Sequence, residues 1–197
     1  MQKKLILASS SKYRKALLQK LFRTLTCDAP MIDERAVVAT PPRALAIKLG
    51  ELKARAIAEK HSANSIIIAS DQVAMLSDKQ LHKPGNRDNN CKQLEECSGK
   101  QVHFFTSVYL LEPESGKTLF DCDETIVTFK NLSNREIESY VEQEPAYDCA
   151  GGFKVEGLGI ALFESIETED PNALIGLPLI KLCRLLKEFG VNPLDQS

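Results

Sequence analysis

The chain has 197 residues, 43% of them hydrophobic, with 25 basic and 27 acidic side chains and a formal net charge of -2. That length and apolar fraction support one sizeable core, or two small lobes around a cleft, and exclude a disordered polymer. The near-balanced charge and 6% aromatic content argue against a nucleic-acid-binding surface, so a phosphate ligand must meet a focused cationic pocket.

Lys4 to Ala8 is a short apolar run that ends in Ser9, Ser10 and Ser11, and Ala16, Leu17 and Leu21 then recur at helical spacing between Tyr13 and Phe22. The expected order is strand, polar loop, helix. Pro30 to Pro42 is a polar, irregular connection containing Asp33 and Glu34. Pro42 then opens a helix with a stripe of Leu45, Leu49, Leu52 and Ala56, which leaves Lys53 and Arg55 off the stripe.

Ser65 to Ser70 contains three consecutive isoleucines and predicts a fully buried strand, which runs into Asp71, Gln72 and a second apolar stretch from Val73 to Leu76. A polar helix is expected from about Asp88 to Cys97, stopping before Gly99. Val102 to Leu111 and Thr118 to Lys130 predict two strands joined by a hairpin at Glu114, Ser115 and Gly116. Ser133 followed by Glu136 is a capping box ahead of a helix with Ile137, Tyr140 and Val141. Beyond a turn at Ala150, Gly151 and Gly152, a strand is expected from Ile160 to Ile166. A final amphipathic helix follows from Leu177 to Phe189, with Pro178 near its start and Gly190 beyond its end. Alternating strands and helices with a hairpin in the middle predict an α/β fold around a mixed sheet, with helices on both faces.

No apolar run is long enough to cross a bilayer, and the N-terminus lacks a long apolar segment followed by a small-residue cleavage site. The expectation is a cytoplasmic protein without membrane association. Cys27, Cys91, Cys97, Cys122, Cys149 and Cys183 contain no CxxC pair, and His61, His82 and His103 are scattered. Zinc or dithiol chemistry has no support, and most of the cysteines are expected to be reduced, buried fillers.

The Ser9 to Ser11 loop offers hydroxyl and backbone donors at a helix N-terminus, with Arg14 just inside the helix. This suits phosphate, although a plain helix cap uses the same residues. Asp71, at the end of a buried strand, is a rigidly presented acid where open α/β folds place ligands, or else the cap of a turn. Asp33 and Glu34 can join it around a hard divalent ion or stand as solvated loop acids. Lys53, Lys83 and Lys154 can neutralise phosphate oxygens or lie on the surface. In the segment EPAYDCAGGFKVEGLG, from Glu144 to Gly159, the glycines allow close approach of a ligand or a tight turn.

Together the segments LILASSSKYR (5–14), IDE (32–34), KLGELKARA (48–56), IIASDQV (67–73), KPG (83–85), CAGGFKVEGLG (149–159) and PNALIGLPL (171–179) resemble the Maf family of nucleotide pyrophosphatases, in order and spacing, from Leu5 to Phe189. The resemblance implies an elongated α/β fold of one domain over residues 1–197, of the Maf and ITPase-like kind, with a central mixed sheet flanked by helices and a cleft along it. It implies that Ser9, Arg14, Lys53 and Lys83 bind the triphosphate, that Glu34 and Asp71 hold a magnesium or manganese ion, and that Asp71 is the catalytic acid-base group. Family members are often homodimers. In the branch acting on dTTP and UTP, threonine follows the central acid. Gln72 stands there in this chain, and with Tyr13 and Glu156 it is similar to the branch that hydrolyses 7-methyl-GTP. A methylated guanine is cationic and suits an aromatic face and a carboxylate. A dTTP/UTP or other modified-nucleotide pyrophosphatase, and a non-catalytic nucleotide-sensing division regulator, are the alternatives. His82 and Ser107 depart from the family pattern where glycine is common, and each is expected to fill space that glycine leaves open.

Overall fold

The computed structural model describes residues 3–37, 41–61 and 64–195. Its strands form one eight-stranded mixed sheet, and the chain divides into two compact units. Unit 1 comprises Met1–Asp71, Thr106–Asp123 and Asp170–Ser197; unit 2 comprises Gln72–Phe105 and Glu124–Glu169.

In unit 1, strand β1 (Lys4–Leu7) runs parallel to the short β2 (Thr26–Cys27) on one side and to β3 (Ser65–Ala69) on the other. The C-terminal part of β6 (Gln101–Glu112) pairs antiparallel with β3, with Ile67 opposite Leu111 and Ala69 opposite Tyr109. Period-2 alternation sends Leu5, Leu7, Ile66, Ile68, Val108 and Leu110 to one face of the sheet. There they meet Leu17 and Leu18 of helix α1 (Lys12–Gln19) and Leu179, Leu182, Leu185 and Leu186 of helix α5 (Leu179–Lys187). Ile6, Ala8, Ile67, Ala69, Tyr109 and Leu111 point the other way, onto Ala54 and Ile57 of helix α2 (Pro42–Ala58). Because helices cover both faces, the isoleucine run of β3 is buried throughout instead of alternating.

The helix starts follow their sequence signals. Ser11 caps α1 by accepting a hydrogen bond from the Arg14 N–H, and Pro42 occupies the first turn of α2. The inward stripe of α2 differs from expectation: Leu45, Ala46, Leu49, Gly50, Lys53, Ala54 and Ile57 are buried, whereas Leu52 is half-buried and Ala56 exposed. Lys53 therefore lies on the buried face. An apolar count along the helix cannot find this position, because the lysine is held there by carboxylates and not by the hydrophobic effect. Cys97 and Cys122 are buried, and desolvation pushes each thiol up to about 12. Cys27 is exposed, while Cys91, Cys149 and Cys183 are half-buried, so two of the six act as fully buried fillers.

In unit 2, β4 (Gln72–Leu76) and β5 (Lys79–Leu81) form a tight antiparallel hairpin through Ser77, and the latter strand had no distinct signal in the sequence. Helix α3 (Arg87–Cys97) ends ahead of Gly99, which adopts φ +68°. Helix α4 (Asn134–Gln143) carries both hydrogen bonds of the Ser133/Glu136 capping box. Strand β7 (Lys117–Phe129) pairs with β6 and with β8 (Phe163–Glu167). The expected strand from Ile160 begins later, because Leu158–Leu162 is a 3-10 segment. Ile160 there is exposed, so its β-branched character does not reflect burial in a sheet. Phe104, Phe129, Phe153 and Phe163 pack edge to face as the aromatic centre of this unit.

Candidate active site

Five of the sequence-derived candidates, Ser9, Arg14, Glu34, Lys53 and Asp71, lie in unit 1 near the C-terminal ends of β1 and β3. Strand β3 delivers Asp71, and both its main-chain polar groups are engaged by Ser107: the Ser107 N–H donates to the Asp71 carbonyl at 2.8 Å, and the Asp71 N–H donates to Ser107 Oγ at 3.0 Å. The aspartate is 7% exposed. Its carboxylate accepts a short hydrogen bond from Lys53 Nζ, which reaches it from the inward face of α2.

The Lys53 ammonium also meets Glu34 Oε1 at 2.8 Å, so it bridges two carboxylates. The partners differ in setting. The Asp71 side chain is 10% exposed and that of Glu34, at the start of the 3-10 turn Glu34–Ala36, is 54% exposed. Lys53 therefore has one desolvated partner and one wet partner, and the Asp71 contact is the one on which its burial rests. Asp33, next to Glu34 in the chain, is exposed.

Arg14 is half-buried, and its Nε donates to the Gly176 carbonyl at 2.8 Å. Desolvation lowers its pKa below the ordinary guanidinium range, while the charges of Asp71 and Glu34 act in the opposite direction. The same Gly176 carbonyl accepts from Ser70 Oγ at 2.8 Å. Gly176 adopts φ +126°, a backbone region that side chains avoid. The loop carrying it is anchored by buried Asp170, which accepts from the N–H groups of Asn172 at 3.1 Å and Ile180 at 2.6 Å. Ser9 Oγ accepts from the Ser11 N–H at 3.1 Å, so the structure shows the helix-cap reading of the serine loop: Ser11 is the cap and Ser9 orders the turn before it.

Sequence reasoning named the charged groups and missed the residues that aim them: Ser70, Ser107, Asp170 and Gly176. Their available signal was polar or small residues interrupting buried runs, without anything to indicate a partner. Ser107, expected only to fill space, instead uses its hydroxyl fully. His82, the other departure, is exposed and fills no buried space.

Tyr13 is half-buried, and the Lys12 ammonium sits 5.0 Å from its ring centroid, so that face already accepts a cation. Gln72, Lys83, Lys154 and Glu156 belong to unit 2. Lys83 and Glu156 are exposed and Gln72 opens β4. Lys154 is committed elsewhere, because its Nζ donates to the Pro145 carbonyl at 2.7 Å. Gly157 and Gly159 serve the segment's own turn. A side chain on Gly157 would start 2.1 Å from Glu144 Oε1, and the Gly159 N–H donates to Glu144 Oε2 at 3.1 Å. A cavity of about 320 Å³ in unit 2, lined by Leu132, Tyr140, Leu158 and Leu162 among others, holds none of the sequence-derived candidates.

Among the described residues, no three acidic, histidine or cysteine side chains converge on a metal-sized space. The donors that do converge fit a different arrangement. Glu34 and Asp71 supply two hard carboxylates already separated by a cation, the Lys53 ammonium. A magnesium-type ion takes few protein carboxylates and completes its shell with water and substrate phosphate. The two cations and two carboxylates of the cluster also balance one another, which leaves a polyanionic phosphate needing further positive charge.

The architecture is shared with the Ham1 protein of Staphylococcus aureus, at TM-score 0.58 and 14% identity over 96% of this chain and 100% of that one. A Ham1 protein from Coxiella burnetii gives TM-score 0.53 and 17% identity over 95% and 100%. In sequence, the chain is 47% identical over 191 residues to a 7-methyl-GTP pyrophosphatase of Pseudoalteromonas translucida, covering 97% of this chain and 94% of the relative. It is 46% identical over 187 residues to the protein of the same name in Pseudomonas putida, covering 95% and 97%. With residues 4–189 matching the family described as Maf-like protein, the chain belongs to the Maf family.

Proposed function

We propose that this protein hydrolyses 7-methyl-GTP to 7-methyl-GMP and pyrophosphate by attack of water at the α-phosphorus, and so keeps a modified nucleotide from being incorporated into nucleic acid. The observation that carries the reading is the buried Lys53 ammonium bridging Asp71 and Glu34, with the half-buried Arg14 held by the Gly176 carbonyl, in a chain whose relatives are named for this reaction. Asp71 orients the attacking water and takes its proton. Lys53 and Arg14 stabilise charge on the transferring phosphoryl group, and Ser9 orders the loop that meets the phosphates. Lys83 contributes phosphate binding. Glu34 and Asp71 would hold a magnesium or manganese ion, which supplies charge compensation for the departing pyrophosphate.

Base choice rests on Tyr13, Gln72 and Glu156. The Tyr13 ring face, occupied by Lys12 at 5.0 Å, suits the cationic methylated guanine, and a carboxylate such as that of Glu156 suits its N–H donors. We extend the reading to a cytoplasmic homodimer. No helix among the described residues is long and apolar enough to cross a membrane, and sedimentation of the purified protein tests the dimer.

Pyrophosphate release from 7-methyl-GTP, GTP, dTTP, UTP and CTP, with magnesium, with manganese and with chelator, tests the proposal. Preference for 7-methyl-GTP that disappears with chelator is expected. Preference for dTTP or UTP would replace the substrate. Nucleotide binding without turnover in either metal would favour a nucleotide-sensing protein.

A further inference from the structure

Ser107 follows directly from the ladder that delivers Asp71. Continuing the antiparallel register of Ile67 with Leu111 and Ala69 with Tyr109 brings Asp71 opposite Ser107. Such a pair would ordinarily exchange two main-chain hydrogen bonds. One is present, from the Ser107 N–H to the Asp71 carbonyl at 2.8 Å. The return bond is diverted, because the Asp71 N–H donates to the Ser107 hydroxyl at 3.0 Å. That hydroxyl in turn donates to the carbonyl of Ala46 at 2.7 Å. Ala46 lies on α2, two turns before Lys53 and on the same buried face.

One fully buried hydroxyl thus ties the main chain of Asp71 to the helix that carries its ion-pair partner. Gly50 leaves room for it, since a Cβ at that position would stand 3.0 Å from Ser107 Oγ. We propose that Ser107 is a positioning residue for the hydrolytic reaction: its hydroxyl sets the approach of Asp71 to Lys53 by fixing the strand end against α2. Without it, the Asp71 N–H loses its acceptor and α2 loses a tie to the strand, so the carboxylate and ammonium relax from their common geometry. The groups facing Asp71 whose spacing would change are Lys53, Glu34 and Arg14.

This inference rests on the proposed pyrophosphatase reaction. Its test compares the native protein with Ser107→Ala, Ser107→Thr, Gly50→Ala and the Ser107→Ala/Gly50→Ala double variant, each as full chain with 7-methyl-GTP. Steady-state pyrophosphate release is measured alongside thermal unfolding. Ser107→Ala should lower kcat by about tenfold or more, in keeping with the sensitivity of reacting groups to sub-ångström displacement. KM should stay within about twofold, because the hydroxyl bonds to protein main chain and not to the nucleotide. Ser107→Thr, which keeps the hydroxyl, should recover much of kcat. Gly50→Ala should act in the same direction as Ser107→Ala, yet add little in the double variant, where the atom it crowds is gone. Native kcat in Ser107→Ala, with only a lower unfolding temperature, would reduce the hydroxyl to a structural bond and overturn the proposal. A native protein that releases no pyrophosphate would instead overturn the underlying reaction, an outcome separate from a silent Ser107 substitution.

Discussion

Replacing Lys53 with methionine keeps the length of the side chain while removing its charge, and so isolates the ion pair at the centre of unit 1. Lys53 and Asp71 expose 7% and 10% of their side chains, so the variant leaves a carboxylate in a desolvated setting. Breaking a buried pair by removing one partner costs about 3–5 kcal/mol. The lower end applies here, because Arg14 still acts on Asp71 and because the Glu34 contact, on a side chain 54% exposed, is screened by solvent. A loss of about 3 kcal/mol at pH 7 corresponds to a Tm lowered by roughly 6–12 °C for a chain of this size. Removing both charges, in Lys53→Met/Asp71→Asn, should restore part of that stability, since the desolvated carboxylate is gone while Arg14 keeps only the exposed Glu34 as its charge partner. Urea unfolding followed by circular dichroism on the single and double variants gives the coupling directly. A cost below about 1 kcal/mol for Lys53→Met, or a double variant that loses the sum of the two singles, would refute the claim that the pair holds Lys53 in the core.

Asp71→Asn alone should bind nucleotide with nearly native affinity and lose about 10²–10⁴-fold in turnover, the range expected for a removed general base, as read from calorimetry and pyrophosphate release together. Acid should destabilise the fold through its paired surface carboxyls. Hydrogen bonds from Lys48 and Arg55 hold Glu51 below its ordinary 4.5, and bonds from Lys3 and Ser115 do the same for Glu112. Because the folded-state values are depressed, the stability they give is present above about pH 4.5 and is lost as pH falls through the folded values. Glu51→Gln should flatten that loss in Tm measured between pH 6 and 3. Ser133→Ala, which removes the N-cap of α4, should cost about 1 kcal/mol in unfolding experiments and leave turnover unchanged.

Much of the fold was legible because the strands and helices of unit 1 obey simple periodicity. The isoleucine run of β3, the apolar run of β1 and the capped start of α1 each carry their own signal. Lys53 was misplaced on α2 for a physical reason: hydrophobic counting assigns a lysine to solvent, and only the two carboxylates that arrive from elsewhere in the chain bring it inside. The late start of β8 has a similar origin, since the apolar run from Ile160 is spent on an exposed 3-10 segment. At the site, the charged groups were visible in linked motifs. The devices that aim them, the Gly176 carbonyl under Arg14 and the Ser107 hydroxyl under Asp71, depend on pairings between residues 162 and 36 positions apart, which no local pattern encodes.

The most direct test is the rate of pyrophosphate release from 7-methyl-GTP by the native protein and by Asp71→Asn, with magnesium or manganese present. Turnover by the native protein exceeding that on GTP, dTTP, UTP and CTP, and abolished in Asp71→Asn, is the expected result. Equal turnover by the two proteins would contradict the role of Asp71, and a preference for dTTP or UTP would contradict the substrate.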